Sequence, residues 1–340
     1  MTKEAILSIL RNTNDYVSGE SISKSLDISR AAVNKAVKTL RSEGYLIDSS
    51  PNRGYILKNS PDHLTSSELG AYIDKERLDN IIVLDSVGST NAYLHSLAYE
   101  GARDRLVVIA NEQTKGRGRR GRSFSSLKDK GIYLSYLMKP NSLPQDSTTL
   151  TAWVAVAVAG AINTLTTSYD KAMIKWVNDI VINKKKVAGI LTEMSIESET
   201  GNIKDIIIGI GINVNEDPED FPDEIKGVAS SLKMEYGREF KRAALSSLII
   251  ENLDRMYDNW PGAKDEYLSL YKELCITKEK EVSVLSVVTP SSDTSYDPDI
   301  RHAYVLDINE DFSLKVRFEN GSVEDLNAGE VSIRGMYGYV

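Results

Sequence analysis

Hydrophobic residues recur along the first sixty positions with the period of short helices. Ile6, Ile9 and Leu10 share one face of a segment over 4–11, and Ile22 and Leu26 repeat the spacing in a shorter one. Ser29 is placed to cap a third helix, whose Val33, Val37 and Leu40 fall four and three residues apart and turn inward. Its other face carries Arg30, Asn34, Lys35, Lys38 and Arg41. After Gly44 the period changes. Tyr45 to Ile47 and Tyr55 to Leu57 read as two short strands about a Ser50-Pro51-Asn52 turn, with Arg53 near its tip. Three short helices followed by a β-hairpin make the pattern of a winged helix-turn-helix, which lays its third helix in the major groove. Arg30, Asn34, Lys35, Lys38 and Arg53 are then the candidate DNA-binding residues, facing phosphates and base edges. A small helical domain with a solvated basic face is the bland alternative. The hairpin directly after the basic helix weighs against it.

Residues 61–78 read as a linker with a short helix. Strands are expected at Ile81–Leu84, Leu106–Ala110 and Gly131–Met138, with a helix from Thr90 to Tyr99 and an apolar one over 150–167. Three β-rich stretches follow, at Met173–Ile182, Lys186–Met194 and Asp205–Val214. An acidic loop over 215–223 leads to amphipathic helices between about 240 and 272. Beyond Cys275 short strands and an Asn320-Gly321 hairpin turn suggest a small β-barrel, with a polar insertion at 289–300 expected to be mobile. The expected architecture is therefore α+β and multidomain: a winged helix over 1–60, the linker, a mixed-sheet domain over 79–273 and a β-barrel over 274–340.

Composition adds two constraints. The single cysteine, Cys275, excludes an internal disulfide framework and fits a reducing cytoplasm. No basic-then-apolar leader opens the chain, and the apolar run from Leu150 to Leu165 contains Thr151, Gly160 and Asn163, so it reads as a buried helix that falls short of a membrane span. The net charge of −8 hides an asymmetry. Residues 1–58 hold nine Lys and Arg against six Asp and Glu, whereas the rest holds 32 against 43. A basic head on an acidic body points to a polyanion met by the head alone.

The chemistry concentrates in Gln113-Thr114-Lys115-Gly116-Arg117-Gly118-Arg119-Arg120-Gly121-Arg122. Its letters include G-x-G-x-x-G, but Ser123-Phe124-Ser125-Ser126 follows where a dinucleotide-binding fold needs a helix, so that reading fails. Four arginines and a lysine on a glycine-punctuated loop make a cationic flap able to grip phosphate or carboxylate. Charge of one sign at this density is expected to keep the loop disordered until an anion neutralises it. A basic patch for nucleic acid is the alternative. The flap's place between two strands of an acidic domain favours a ligand lid.

A second stretch joins Lys175-Trp176-Val177-Asn178-Asp179 to Lys186-Val187-Ala188-Gly189-Ile190-Leu191 across an Asn183-Lys184-Lys185 turn, which is expected to bring Lys175, Asn178 and Lys186 together. A third, Gly209-Ile210-Gly211-Ile212-Asn213-Val214, is a strand whose glycines allow backbone to approach a ligand closely.

With Ser89-Thr90-Asn91, these three stretches resemble the biotin protein ligases. With the winged helix ahead of them, nearly the whole chain is similar to the bifunctional biotin ligase and biotin operon repressor of bacteria. Two departures are visible: Val177 stands where the family usually has proline, and Phe124 where it often has tryptophan. The resemblance implies a biotin/lipoate ligase-like catalytic domain, an SH3-like C-terminal barrel and a two-step reaction. Biotin and ATP, with Mg²⁺, give biotinyl-5′-AMP and pyrophosphate, and a lysine of a biotin carboxyl carrier domain then takes the biotin. No tightly bound prosthetic group is implied. Neither Cys275 nor His63, His95 or His302 suggests a covalent relay.

By that resemblance Ser89, Thr90, Asn91, Gln113, Gly116, Arg117, Gly118, Arg119, Lys186 and Gly189 bind biotin. Arg119, Arg122, Lys175, Asn178 and Asn213 serve ATP, while Lys186, Arg119 and Arg122 carry catalysis and Asp179 is the candidate Mg²⁺ ligand. One chain bearing a DNA head and an adenylate-forming site further suggests an adenylate-dependent homodimer on operator DNA, in the cytoplasm. Three alternatives stay open: a ligase whose head no longer regulates, a lipoate-type ligase, and a ligand-sensing regulator without turnover.

Overall fold

In the computed structural model of the chain, residues 2–140, 142, 144–168, 170–286, 300–327 and 331–335 are described. They fall into two compact units, Met1–Asp79 with Lys241–Ser247, and Asn80–Phe240 with Leu248–Val340.

The first unit opens with α1 (Thr2–Arg11), α2 (Gly19–Leu26) and α3 (Arg30–Ser42), followed by the hairpin β1 (Leu46–Ser50) and β2 (Gly54–Asn59). Ser29 caps α3 as expected, and Ser18 caps α2 in the same way. Ser18 and Ser29 side chains accept from the backbone N–H of Ser21 and Ala32, satisfying donors that the first turns of α2 and α3 leave without a helical partner. Ile6, Leu7, Leu10, Ile22, Val33, Val37, Leu40, Tyr45 and Ile47 form the core. Burying each aliphatic among them is worth about 1.5–3 kcal/mol. Residues 61–78, expected to be a linker, belong to this unit and form α4 (Ser66–Leu69) and α5 (Lys75–Leu78). Glu68 is buried there, accepting from Arg11 and from the Tyr45 hydroxyl at 2.5 Å. Burial and that carboxylate push the Tyr45 phenol well above its ordinary range. Arg242, also of this unit, is fully buried and donates its Nε to Asp62 at 2.7 Å.

The second unit is built on a seven-stranded mixed sheet. Its strands are β3 (Ile81–Leu84), β4 (Val107–Ala110), β5 (Ile132–Met138), β6 (Met173–Lys175), β7 (Asp179–Ile182), β8 (Lys185–Ile196) and β9 (Ile203–Ile212). Their order is β3-β4-β5-β9-β8-β7-β6; β3 and β4 run parallel and the other neighbours antiparallel. The expected Met173–Ile182 stretch is thus two antiparallel strands, Lys175 pairing with Asp179 across a tight turn. Helix α6 (Thr90–Tyr99) packs Leu94 and Ala98 on Val108, Leu137 and Ile207. Helix α7 (Leu150–Thr166) is the apolar run. With the 3-10 turn ahead of it, it is long and apolar enough to cross a membrane, correcting the expectation that it falls short, yet 61% of that window is buried inside the protein. Trp153 stacks on Tyr267 with ring centroids 4.0 Å apart, so α7 serves as a core helix.

Short α8 (Leu232–Tyr236), α9 (Arg242–Asn259) and α10 (Lys264–Leu274) precede a five-stranded antiparallel sheet of β10 (Glu281–Ser286), β11 (Ile300–Ile308), β12 (Leu314–Phe318), β13 (Val323–Leu326) and β14 (Val331–Gly335), in the order β13-β12-β11-β10-β14. The Asn320-Gly321 turn falls between β12 and β13 as expected. Apart from Ile300, the polar insertion at 289–300 lies outside the described residues. Trp176 ties the two sheets together, its Nε1 donating to the Phe312 carbonyl at 2.8 Å and its backbone N–H to Thr277 Oγ1 at 3.0 Å. Val177, one of the two departures from the resemblance, is buried, and its carbonyl accepts from Tyr271 at 3.3 Å.

Candidate active site

Segments far apart in sequence line one half-open cleft of about 500 Å³, open solvent included. Ser89, Thr90 and Asn91 come from the start of α6; Gln113, Arg117, Gly118, Arg119 and Phe124 from the loop after β4; Asn178, Lys186, Gly189, Ile190 and Leu191 from β8 and the turn ahead of β7; Gly209, Ile210 and Gly211 from β9. The mixture of polar and apolar lining suits a small, partly polar ligand.

The floor is a hydrogen-bonded polar network. Gln113 Oε1 accepts from the Thr90 backbone N–H at 2.8 Å and lies 3.0 Å from Thr90 Oγ1, while Gln113 Nε2 donates to Ser126 at 3.0 Å. A backbone N–H can only donate, so the amide orientation of Gln113 is settled and what it has left to offer a ligand is an N–H. Ser89 caps α6 at Ala92 N, which places a helix N-terminus beside the cleft. The β9 glycines serve the side chains around the cleft. A Cβ on Gly209 would collide with the Asn91 amide, and one on Gly211 would lie 2.6 Å from the Phe124 ring. The sequence reading expected them to let backbone approach a ligand; both line the cleft, and they also make room for two of its own side chains.

Cationic groups form one wall. Arg119 donates to Asn178 Oδ1 at 2.8 Å, and Asn178 in turn donates to the Ile190 carbonyl at 3.0 Å. Lys186 folds over Gly189, whose missing Cβ would stand 3.1 Å from its Nζ, to pair with Asp179 at 2.6 Å. The arginine loop, expected to be disordered without an anion, takes a defined course. Arg117 bridges to Ser123, Gly118 N–H donates to the Arg122 carbonyl at 2.7 Å, and Arg120 adopts a left-handed φ of 60°. Pairing at its base and the Asn178 contact offset the repulsion. Burial lowers the pKa of the Arg119 guanidinium, opposed by Asp179, and the repulsion registers at Arg120, which is lowered by burial and then by Arg119 and Arg122. A phosphate or carboxylate entering here replaces lost water with opposite charge.

Several expected residues stand apart from the lining. Gly116 lies just behind it, its carbonyl accepting from Phe124 N at 3.0 Å. Arg122 is exposed. Lys175 is buried on β6, and Asn213 spends its amide on the Ser230 carbonyl at 2.9 Å. Asp179, the candidate metal ligand, engages Lys186. Among the described residues no three His, Cys, Asp or Glu side chains gather to hold a metal ion. Cys275 is buried, and burial pushes its thiol pKa up, against any nucleophilic role. Ser135, Ser126 and Glu193, all joined to the floor, escaped the sequence reading, which had only strand alternation to go on.

In the first unit Arg30, Asn34, Lys35 and Lys38 stand exposed on one side of α3. Asn34 Nδ2 donates to the Tyr55 hydroxyl at 3.3 Å, and Arg53 pairs with Asp15 at 2.7 Å while stacking over Tyr16. Arg41, on the same helix, is spent on the Ile47 carbonyl at 2.8 Å.

Residues 83–213 match the biotin/lipoate A/B protein ligase family, and residues 2–56 match a helix-turn-helix domain. The bifunctional ligase/repressor BirA of Bacillus subtilis is 37% identical over 76% of this chain and 79% of its own length. The chain belongs to the BirA ligase/repressor family. Escherichia coli BirA is 32% identical over 62% of each chain. Among solved structures, the Aquifex aeolicus biotin protein ligase in complex with biotin and ATP superposes with a TM-score of 0.60 at 25% identity, covering 75% of this chain and 99% of that one. Within the BirA family frame, the cleft lies inside the segment that matches the ligase model, and α3 inside the segment that matches the helix-turn-helix.

Proposed function

We propose that this chain is an ATP-dependent biotin protein ligase that also represses transcription through its winged helix. One observation carries the reading: the arginine loop and Lys186 close a cleft whose floor is a set of buried polar groups. A ureido ring needs such a floor, since each donor or acceptor left unpaired costs about 1–3 kcal/mol.

On this reading Ser89, Thr90, Asn91 and Gln113 hold the biotin ring, with Gly116 and Gly118 allowing the loop to close and Gly189 giving Lys186 its path. Arg117 and Arg119 cover the valeryl chain and the phosphates. Lys186 exchanges Asp179 for the substrate anions, bridging biotin's carboxylate and the α-phosphate. The carboxylate oxygen attacks the α-phosphorus, pyrophosphate leaves, and biotinyl-5′-AMP remains. In the second step the unprotonated amine of a carrier-domain lysine attacks the acyl carbon, AMP leaves with the phosphate oxygen, and the new amide nitrogen gives up a proton. Neutralisation and positioning supply the rate in the first step, with no protein nucleophile. Arg122, Lys175, Asn178 and Asn213 are assigned to the nucleotide side, for which Arg122 must swing in. A Mg²⁺ ion would arrive on the ATP phosphates, neutralising them, with Asp179 as its candidate protein ligand.

Arg30, Asn34, Lys35, Lys38 and Arg53 meet operator DNA, and the adenylate favours a homodimer whose two-fold axis matches a palindromic site. We read the C-terminal sheet as the SH3-like barrel of the family and place the protein in the cytoplasm, with ATP, carrier and DNA.

The test mixes protein, ATP, Mg²⁺, biotin and a biotin carboxyl carrier domain, following pyrophosphate and carrier mass, with lipoate in parallel. Gain of one biotin per carrier supports the assignment. Turnover of lipoate alone would overturn the pocket assignment, and turnover of neither acid would leave a binding regulator.

A further inference from the structure

Beneath the cleft floor runs a polar chain that reaches across the sheet. Asn91 Nδ2 donates to Glu193 Oε2 at 2.6 Å; Ser135 Oγ lies 2.6 Å from Asn91 Oδ1 and 2.7 Å from Thr90 Oγ1. Thr90, Asn91 and Ser135 are buried, and the half-buried Glu193 sits on β8. A carboxylate only accepts, so Glu193 settles which way the Asn91 amide faces. Asn91 Oδ1 then faces Ser135 and can also only accept, so the one hydroxyl proton of Ser135 goes to Asn91. With its proton on Asn91, Ser135 Oγ at 2.7 Å is a closer acceptor for the single proton of Thr90 than Gln113 Oε1 at 3.0 Å, and neither lies on the ligand's side of Thr90. Gln113 Oε1 keeps the Thr90 backbone N–H at 2.8 Å in either case.

We propose that Glu193 and Ser135 are positioning residues that fix the direction of this hydroxyl relay, so that Thr90 Oγ1 meets the ligand as an acceptor. The ligand this selects carries ring N–H donors against Thr90, as a cyclic urea does and a dithiolane does not. The proposal rests on the biotin-ligase reading of the cleft and adds to it a source of discrimination outside the lining. Reversing the Asn91 amide reverses the relay. Ser135 then donates to Thr90, which gives up a lone pair and holds a proton divided between Gln113 Oε1 and the ligand's N–H.

Glu193→Gln tests this at constant shape, because the introduced amide can present either of its ends to Asn91. We expect biotin KM to rise roughly tenfold, the size of one misdirected buried hydrogen bond, with ATP KM held. The preference for biotin over a biotin methylated on its ureido nitrogens should shrink by a similar factor. Asn91→Asp alone opposes two carboxylates and should be worse. The double variant Asn91→Asp with Glu193→Gln restores the relay: the new glutamine donates to the new aspartate, whose other oxygen accepts from Ser135. Recovery of biotin KM and of selectivity in the double variant supports the proposal. A role in packing alone predicts no recovery, and that result, or an unaltered Glu193→Gln enzyme, overturns it. A wild-type protein that fails to turn over biotin would instead strike at the reading on which the proposal rests.

Discussion

Two regions of this protein gather positive charge, and they use it differently. On α3, Arg30, Lys35 and Lys38 extend into solvent from a helix whose opposite face is locked into a core by Val33, Val37 and Leu40. On the cleft wall, Arg119 is held by Asn178 and Lys186 by Asp179, and burial weighs on the guanidinium. Exposed charges of the first kind are screened by salt and act additively on a long polyanion. Those of the second kind are partly desolvated, oriented before the ligand arrives, and worth more per group at one developing charge. The same residue types thus make a diffuse binding face in one unit and a reaction site in the other.

The strongest way to test that contrast is to remove one charge from the cleft. Lys186→Ala, or Arg119→Ala, should slow pyrophosphate release by roughly 100- to 1,000-fold, the cost of one preorganised stabilising group; a loss under about fivefold would mean the wall only encloses the ligand. Next in size is a stability effect in the same unit. Glu216 is buried, and that burial, with Asp220 adding and Lys130 opposing, raises its carboxyl from 4.5 to about 7. A carboxyl raised on folding stabilises the fold fully below its unfolded value, and that contribution is lost as pH climbs through about 7. Glu216→Gln should therefore raise the unfolding free energy more at pH 8 than at pH 5, by an upper limit of roughly 3 kcal/mol. Equal shifts at both pH values would show that the carboxyl is ionised without penalty.

On α3 the expected losses are smaller and shaped by salt. Lys35→Ala and Lys38→Ala should each weaken operator binding severalfold and lower the salt slope by about one. A slope that stays put would remove those lysines from the phosphate contacts. Arg53→Ala should cost less still in a gel-shift titration, because Arg53 already pairs with Asp15 and stacks on Tyr16.

Much of this was written in the sequence. Helix periods, the Ser29 cap and the hairpin turn specified the winged helix, because each is a local choice made within a dozen residues. Strand positions in the ligase unit were legible for the same reason, and the composition of the arginine loop with Lys186 pointed to an anion site. What the sequence left open are matters of partnership over long separations. Alternation says that Ser135 and Glu193 lie on strands, but only the register of β5, β9 and β8 brings them to Asn91, 44 and 102 residues away along the chain. Tertiary packing likewise decided that Gly209 and Gly211 hold Asn91 and Phe124, that Asn213 serves Ser230, and that residues 61–78 join the head through Glu68. A side chain's type limits the bonds it can make. Which of them it makes depends on what the fold sets within about 3 Å of it.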